Sequence, residues 1–235
     1  MRSLLGALIG VSALAGVANA QEVAISGNVA LTSDYQFRGI SQTLENPAVQ
    51  GGFDVGVNSF YVGTWASNID FGAEGTMELD IYAGFKPELT DTLTLDLGVV
   101  GYLYPGLDDA ASEADYYELK AGAIFTPSDA FGLTGTLFWS PDFTFDGGDS
   151  LYAEVGASYA ATDYFSLSGA VGNQSVDTET YFIDGNGTSD SYTTWNLGGT
   201  LSAYGFGVDV RYVDTTLEDN DLAEERVIFT IKRAL

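Results

Sequence analysis

The stretch GTMELDIYAGFK, residues 75–86, sets Met77, Leu79, Ile81, Ala83 and Phe85 on one side and Thr76, Glu78, Asp80, Tyr82 and Lys86 on the other. Successive strand side chains point to opposite faces, so this period of two predicts a strand with one oily and one wet face. The pattern recurs along the chain and predicts twelve strands, near 23–33, 48–58, 60–69, 75–86, 92–104, 116–126, 131–139, 150–160, 165–173, 192–202, 204–213 and 225–235. Strand 60–69 is ambiguous in phase, because Tyr61, Gly63 and Trp65 oppose Phe60, Val62 and Thr64 without sorting by polarity. Ten strands therefore stand as the alternative count.

The connections carry a second pattern. After even strands they are tight, as at Asn58-Ser59, 87–91, 127–130, 161–164 and Ala203-Tyr204; after odd strands most are long and acidic, at 34–47, 105–115, 140–149, about 174–191, and 214–224. Long loops on one rim and short turns on the other are the layout of an up-and-down barrel in an outer membrane. The charges inside strands, Asp54, Glu78, Asp80, Asp96, Glu118, Lys120, Glu154, Asp209 and Arg211, all fall on the polar face. Only Arg233, beside the chain end, is in phase with an oily face, where a long side chain snorkels to the interface. A lipid-facing Arg or Lys at mid-bilayer costs about 2–4 kcal/mol, so a membrane enforces this sorting. A soluble sandwich also keeps charge out of its core, and sorting alone does not separate the two. Aromatic placement does: Phe85, Phe125, Phe131, Tyr159, Phe165 and Phe206 lie at turn-side strand ends, and Tyr117, Trp139, Trp195 and Tyr212 at loop-side ends. Two bands match two membrane interfaces, whereas a core gathers aromatics at mid-strand. The predicted fold is all-β, a transmembrane antiparallel up-and-down barrel most consistent with twelve strands, spanning 21–235.

Residues 1–20 read as a secretory signal peptide: Arg2, an apolar run, then Ala18-Asn19-Ala20 as cleavage site. Without Arg2 the chain holds 33 acidic and 7 basic residues, a net −26, which repels nucleic acid. It has no His and no Cys, which removes the Ser-His-Asp triad, thiol chemistry and soft metal ligands. An enzyme built on paired carboxylates alone finds no local constellation here, so no enzyme, cofactor or metal is predicted. The acidic loops, including Asp108-Asp109, Asp142 to Asp149 and Glu218 to Glu225, lack EF-hand spacing and read as solvated rims.

The run SGNVALTSDYQFRGISQT (26–43), with PAVQGGFD (47–54) and FYVGTWASNID (60–70), resembles the TorF-family porins of proteobacterial outer membranes. The resemblance implies a bacterial outer-membrane β-barrel porin over the whole mature chain. Such barrels commonly end in Phe, whereas this chain ends in Leu235 after the alternating Val227, Phe229 and Ile231.

The polar-face charges number seven acids, Asp54, Glu78, Asp80, Asp96, Glu118, Glu154 and Asp209, against three bases, Lys86, Lys120 and Arg211. As pore-lining groups they predict a negative lumen and a channel that passes small hydrophilic solutes with a preference for cations. The alternative is a barrel plugged by paired side chains, non-conducting, whose acidic loops meet a partner. Arg38, in the first long loop, is the constriction candidate; its other reading is a rim residue paired with loop acids. Outer-membrane lipids and small solutes are the expected partners, and the oligomeric state is not legible.

Overall fold

The computed structural model describes residues 23–72, 75–107, 114–185 and 187–235. The signal-peptide prediction and Asp108-Asp109 lie outside these residues. Twelve strands form the wall: β1 Val23–Thr32, β2 Ala48–Val57, β3 Phe60–Asn68, β4 Met77–Phe85, β5 Leu93–Leu103, β6 Tyr116–Ser128, β7 Phe131–Phe143, β8 Gly148–Ala160, β9 Phe165–Val176, β10 Ser191–Ala203, β11 Phe206–Thr215 and β12 Arg226–Ala234. Each pairs antiparallel with the next, and β12 returns to β1 from Thr230 opposite Thr32 to Ala234 opposite Asn28. The sheet is closed, so no edge is left to satisfy in lipid. No helix among the described residues is long and apolar enough to cross a membrane.

The outward face is the oily one. Ile25, Val49, Ile81, Val155, Leu197 and Phe229 are each at least half exposed, and on a barrel of this build that exposure is to acyl chains. The aromatic bands lie where the alternation puts them: Phe85, Phe125, Phe131, Tyr159, Phe165 and Phe206 are exposed at the turn end, and Tyr117, Trp139 and Trp195 at the loop end, with Tyr212 packed 5.1 Å from Trp195. The Arg233 guanidinium lies over the Phe206 ring at 4.7 Å. Its charge thus reaches the interface while its stem covers apolar surface. Strand 60–69 resolves in phase, since Tyr61 bonds Asp96 and Trp65 packs on Tyr35, both inside, while Phe60 and Val62 are exposed.

One connection differs from its prediction. Residues 140–149 are not a long loop; β7 and β8 continue and are joined by the four residues 144–147. Pro141 sits where the β7–β8 register shifts between Ser140 and Phe143. A missing N–H is tolerated at such an irregularity. The tight turns follow local chemistry: Tyr204 and Gly205 both have positive φ, 53° and 80°, between the paired Ala203 and Phe206, as a two-residue hairpin turn requires.

Inside, the two halves differ. Toward the loops the bore is filled by a core of Tyr102, Tyr116, Phe143, Phe182, Tyr192 and Leu217. Toward the turns many inward positions are small, among them Gly122, Thr134, Gly156, Ser166, Gly198 and Ser202, with Tyr61 and Ile124 as larger exceptions. Mid-height tyrosines lie flat against the wall over glycines of neighbouring strands. A Cβ at Gly172 would overlap the Tyr152 ring, and one at Gly63 the Tyr82 ring.

Candidate functional site

After β1 the chain turns into the barrel. Residues 36–41 form a small hairpin with Gln36 opposite Ser41 and Phe37 opposite Ile40. Arg38 and Gly39 make its turn, with φ of 51° and 87°, the mirror-image geometry that Gly accommodates and Arg adopts at some cost. Gly39 is further constrained because an added Cβ would collide with Thr194 and Thr215. The arm is anchored by Asp34, which is 4 % exposed. Its Oδ1 accepts from Ser41 Oγ at 2.7 Å and Thr43 Oγ1 at 2.9 Å; its Oδ2 accepts from Gln36 Nε2 at 2.5 Å and Arg226 at 3.3 Å. Arg226, on β12, also reaches Glu45 at 2.9 Å. First loop and last strand are thereby tied together.

The arm carries Arg38 across the bore. Its guanidinium donates to Glu118 Oε2 on β6 at 2.6 Å and to Gln174 Oε1 on β9 at 2.5 Å. The Tyr152 ring lies 4.3 Å from the guanidinium carbon, Phe37 4.6 Å and Phe138 5.3 Å. Tyr192 Oη donates to the Arg38 carbonyl at 3.0 Å, and Tyr102 Oη to Glu118 Oε2 at 3.0 Å. Both charges are almost fully buried, at 5 % and 0 % side-chain exposure. Burial lowers the basicity of Arg38, but the adjacent Glu118 carboxylate outweighs this and the net shift is upward, so the arm tip stays charged. Glu118 Oε1 is buried and without a hydrogen bond.

The remaining singled-out residues all point inward but form separate groups. Glu78 accepts from Tyr35 Oη of the arm at 2.8 Å, and the neighbouring Asp80 Oδ1 has no hydrogen bond. Asp54 accepts from Tyr82 Oη at 2.7 Å. Asp96 receives Tyr61 Oη at 2.7 Å and Lys120 Nζ at 2.8 Å, with Lys86 at 3.8 Å. Glu154 accepts from Tyr152 Oη at 2.7 Å. Asp209 takes Thr200 Oγ1 at 2.7 Å and two Arg211 nitrogens at 3.1 Å, while Arg211 also donates to Asn196 at 2.7 Å. Behind the arm a cavity of about 420 Å³ is lined by Arg38, Asp80, Lys120, Glu154 and Arg211, with Trp65 and Phe138 among its apolar walls.

The interior charge balance differs from the predicted seven acids against three bases. Arg38, Arg226 and Lys232 also point inward, as does Asp34. Six of the seven bases after Ala20 are thus inside, leaving Arg233 on the outer face. Lys232 was readable, because it lies in polar phase between Ile231 and Arg233. Asp34 and Arg226 lie at strand ends, where alternation carries no information. Among the described residues no group of three or more Asp, Glu, His or Cys is placed to hold a metal.

A closed twelve-stranded barrel with an oily belt, two aromatic bands and a charged interior is a porin-like transmembrane β-barrel. Solved porins share the fold: the NanC porin superposes with a TM-score of 0.56 at 10% identity, covering 90% of this chain and 98% of that one. The KdgM porin, solved in complex with disordered oligogalacturonate, gives 0.57 at 6% identity over 89% and 96%. No curated protein matches the chain in sequence. The chain belongs to the family described as "Bacterial protein of unknown function (Gcw_chp)", which it matches over residues 17–234.

Proposed function

We propose that this chain is a bacterial outer-membrane channel for passive diffusion of small hydrophilic solutes, with the Arg38 arm as its constriction. The observation that carries this reading is the cavity, bordered by Asp80, Lys120, Glu154 and Arg211, beside an inward-folded, anchored arm. A barrel wall needs no such cavity to be stable, and many of the inward residues on the turn side are small. The TorF-family likeness of residues 26–70 and the signal peptide belong to the same reading.

Selectivity favours cations in this proposal. With Asp34, eight inward carboxyl groups face six bases, and Asp54 and Glu154 have no basic partner among their hydrogen bonds. The oligogalacturonate of the KdgM complex is a polyanion, and this interior offers it too little uncompensated positive charge. Catalysis is not part of the proposal, since the chain has neither His nor Cys.

The test is conductance of the refolded mature chain in a planar bilayer, with the reversal potential under a salt gradient. Steps that reverse on the cation side, and that widen in Arg38→Ala, are the expected result. The aromatic core at the loop end favours a second reading, a non-conducting barrel whose loops bind a partner. A folded barrel that stays silent even with the arm removed would establish that reading instead.

A further inference from the structure

The environment of the Arg38 guanidinium is a complete cation cage, and almost all of it belongs to the wall. Glu118, Phe138, Tyr152 and Gln174 come from the consecutive strands β6, β7, β8 and β9; only Phe37 travels with the arm. Gln174 donates its Nε2 to the Ser175 carbonyl at 3.1 Å, which leaves its Oε1 aimed at the cation. Glu118 is fully buried, yet Arg38 uses only Oε2 and leaves Oε1 without a partner. A guanidinium held at the tip of a two-residue turn reaches one carboxylate oxygen; one free to rotate takes both in the paired geometry that carboxylates favour. Arg38, Phe138 and Tyr152 all border the 420 Å³ cavity, so a solute in the bore meets the cage directly.

We propose that this cage is a binding site for guanidinium-bearing solutes, and that Arg38 occupies it as a tethered surrogate until such a solute displaces it. The chemistry selects within cations. Two aromatic faces and a single carboxylate suit a flat, weakly hydrated organic cation and offer too few oxygens for a metal ion. Simultaneous donation to Glu118 and Gln174 needs the planar fork of a guanidinium; an ammonium is a point charge. The proposal deepens the channel reading, from which it takes the route of access.

The test separates binding from conduction. Refolded Arg38→Ala in detergent, shown to be folded by circular dichroism and heat-modifiable migration, is titrated with methylguanidinium by calorimetry, with sodium and tetramethylammonium as controls. Arg38→Gly, which suits the positive φ of the turn, serves equally if Arg38→Ala does not fold. Methylguanidinium is expected to bind the vacated cage at least about tenfold tighter than it binds wild type or the double variant with Glu118→Gln, given the strength of hydrogen bonds to charged groups. In the bilayer it is expected to restore the narrow conductance that removing Arg38 abolished. No binding to the folded single variant, equal binding to the double variant, or equal binding of tetramethylammonium overturns the cage. Binding without conductance in any variant upholds the cage and overturns the channel; conductance without binding does the reverse.

Discussion

The two halves of the barrel interior are built on the same wall and the same alternation, yet one is packed and the other hollow. At the loop end Tyr102 and Tyr116 stack at 4.4 Å, and the ring contacts continue through Phe143, Tyr181, Phe182 and Tyr192. At the turn end many of the corresponding positions are Gly, Ser and Thr, and Lys86 and Lys232 are long polar side chains there. The wall permits either filling. What decides is whether a loop folds back to meet the inward residues, and only the loop rim has segments long enough to do so.

If the arm is what closes the packed half, replacing residues 35–42 with a short Gly-Ser link makes the two halves alike. The expected outcome is the largest change of all, a several-fold rise in single-channel conductance in planar bilayers. The next effect is on stability: Glu118→Ala leaves Arg38 charged, buried and unpaired, and is expected to cost about 3–5 kcal/mol, read as a lowered urea midpoint of the refolded barrel. Glycine substitutions then sharpen the contrast position by position. Gly172→Ala forces a methyl into the Tyr152 ring and should cost about 1–3 kcal/mol in the same assay. Gly122→Ala meets no atom closer than 3.5 Å and should stay within about 0.5 kcal/mol. Equal costs at the two glycines would mean that the interior is not divided in this way.

The wall was legible in the sequence because one solvent acts on every outward residue. Val29, Leu31, Val55 and Ile81 each report the same lipid, so the signal accumulates along the chain and survives an ambiguous strand such as 60–68. The segment 140–149 misled because its length and acidity read as a loop, whereas strands tolerate a proline at an irregularity and only the pairing partner decides. The interior was legible in direction but not in arrangement. Glu118 and Gln174 were 80 and 136 residues from Arg38, and no local pattern links an arm to a wall so distant in sequence. DYQFRGISQT did carry one usable signal, an Arg-Gly pair between Phe37 and Ile40, which is hairpin-turn chemistry; the reading of 34–47 as an irregular loop passed over it.

The salt bridge from Arg226 to Asp34 and Glu45 has a consequence for assembly. Strand β12, last in the chain, carries the cation that fastens the base of the arm beside the seam it forms with β1. The seam of the wall and the base of the arm therefore share one ion pair. A force that unzips β1 from β12 loosens the arm at its base, while Glu118 and Gln174 still hold its tip.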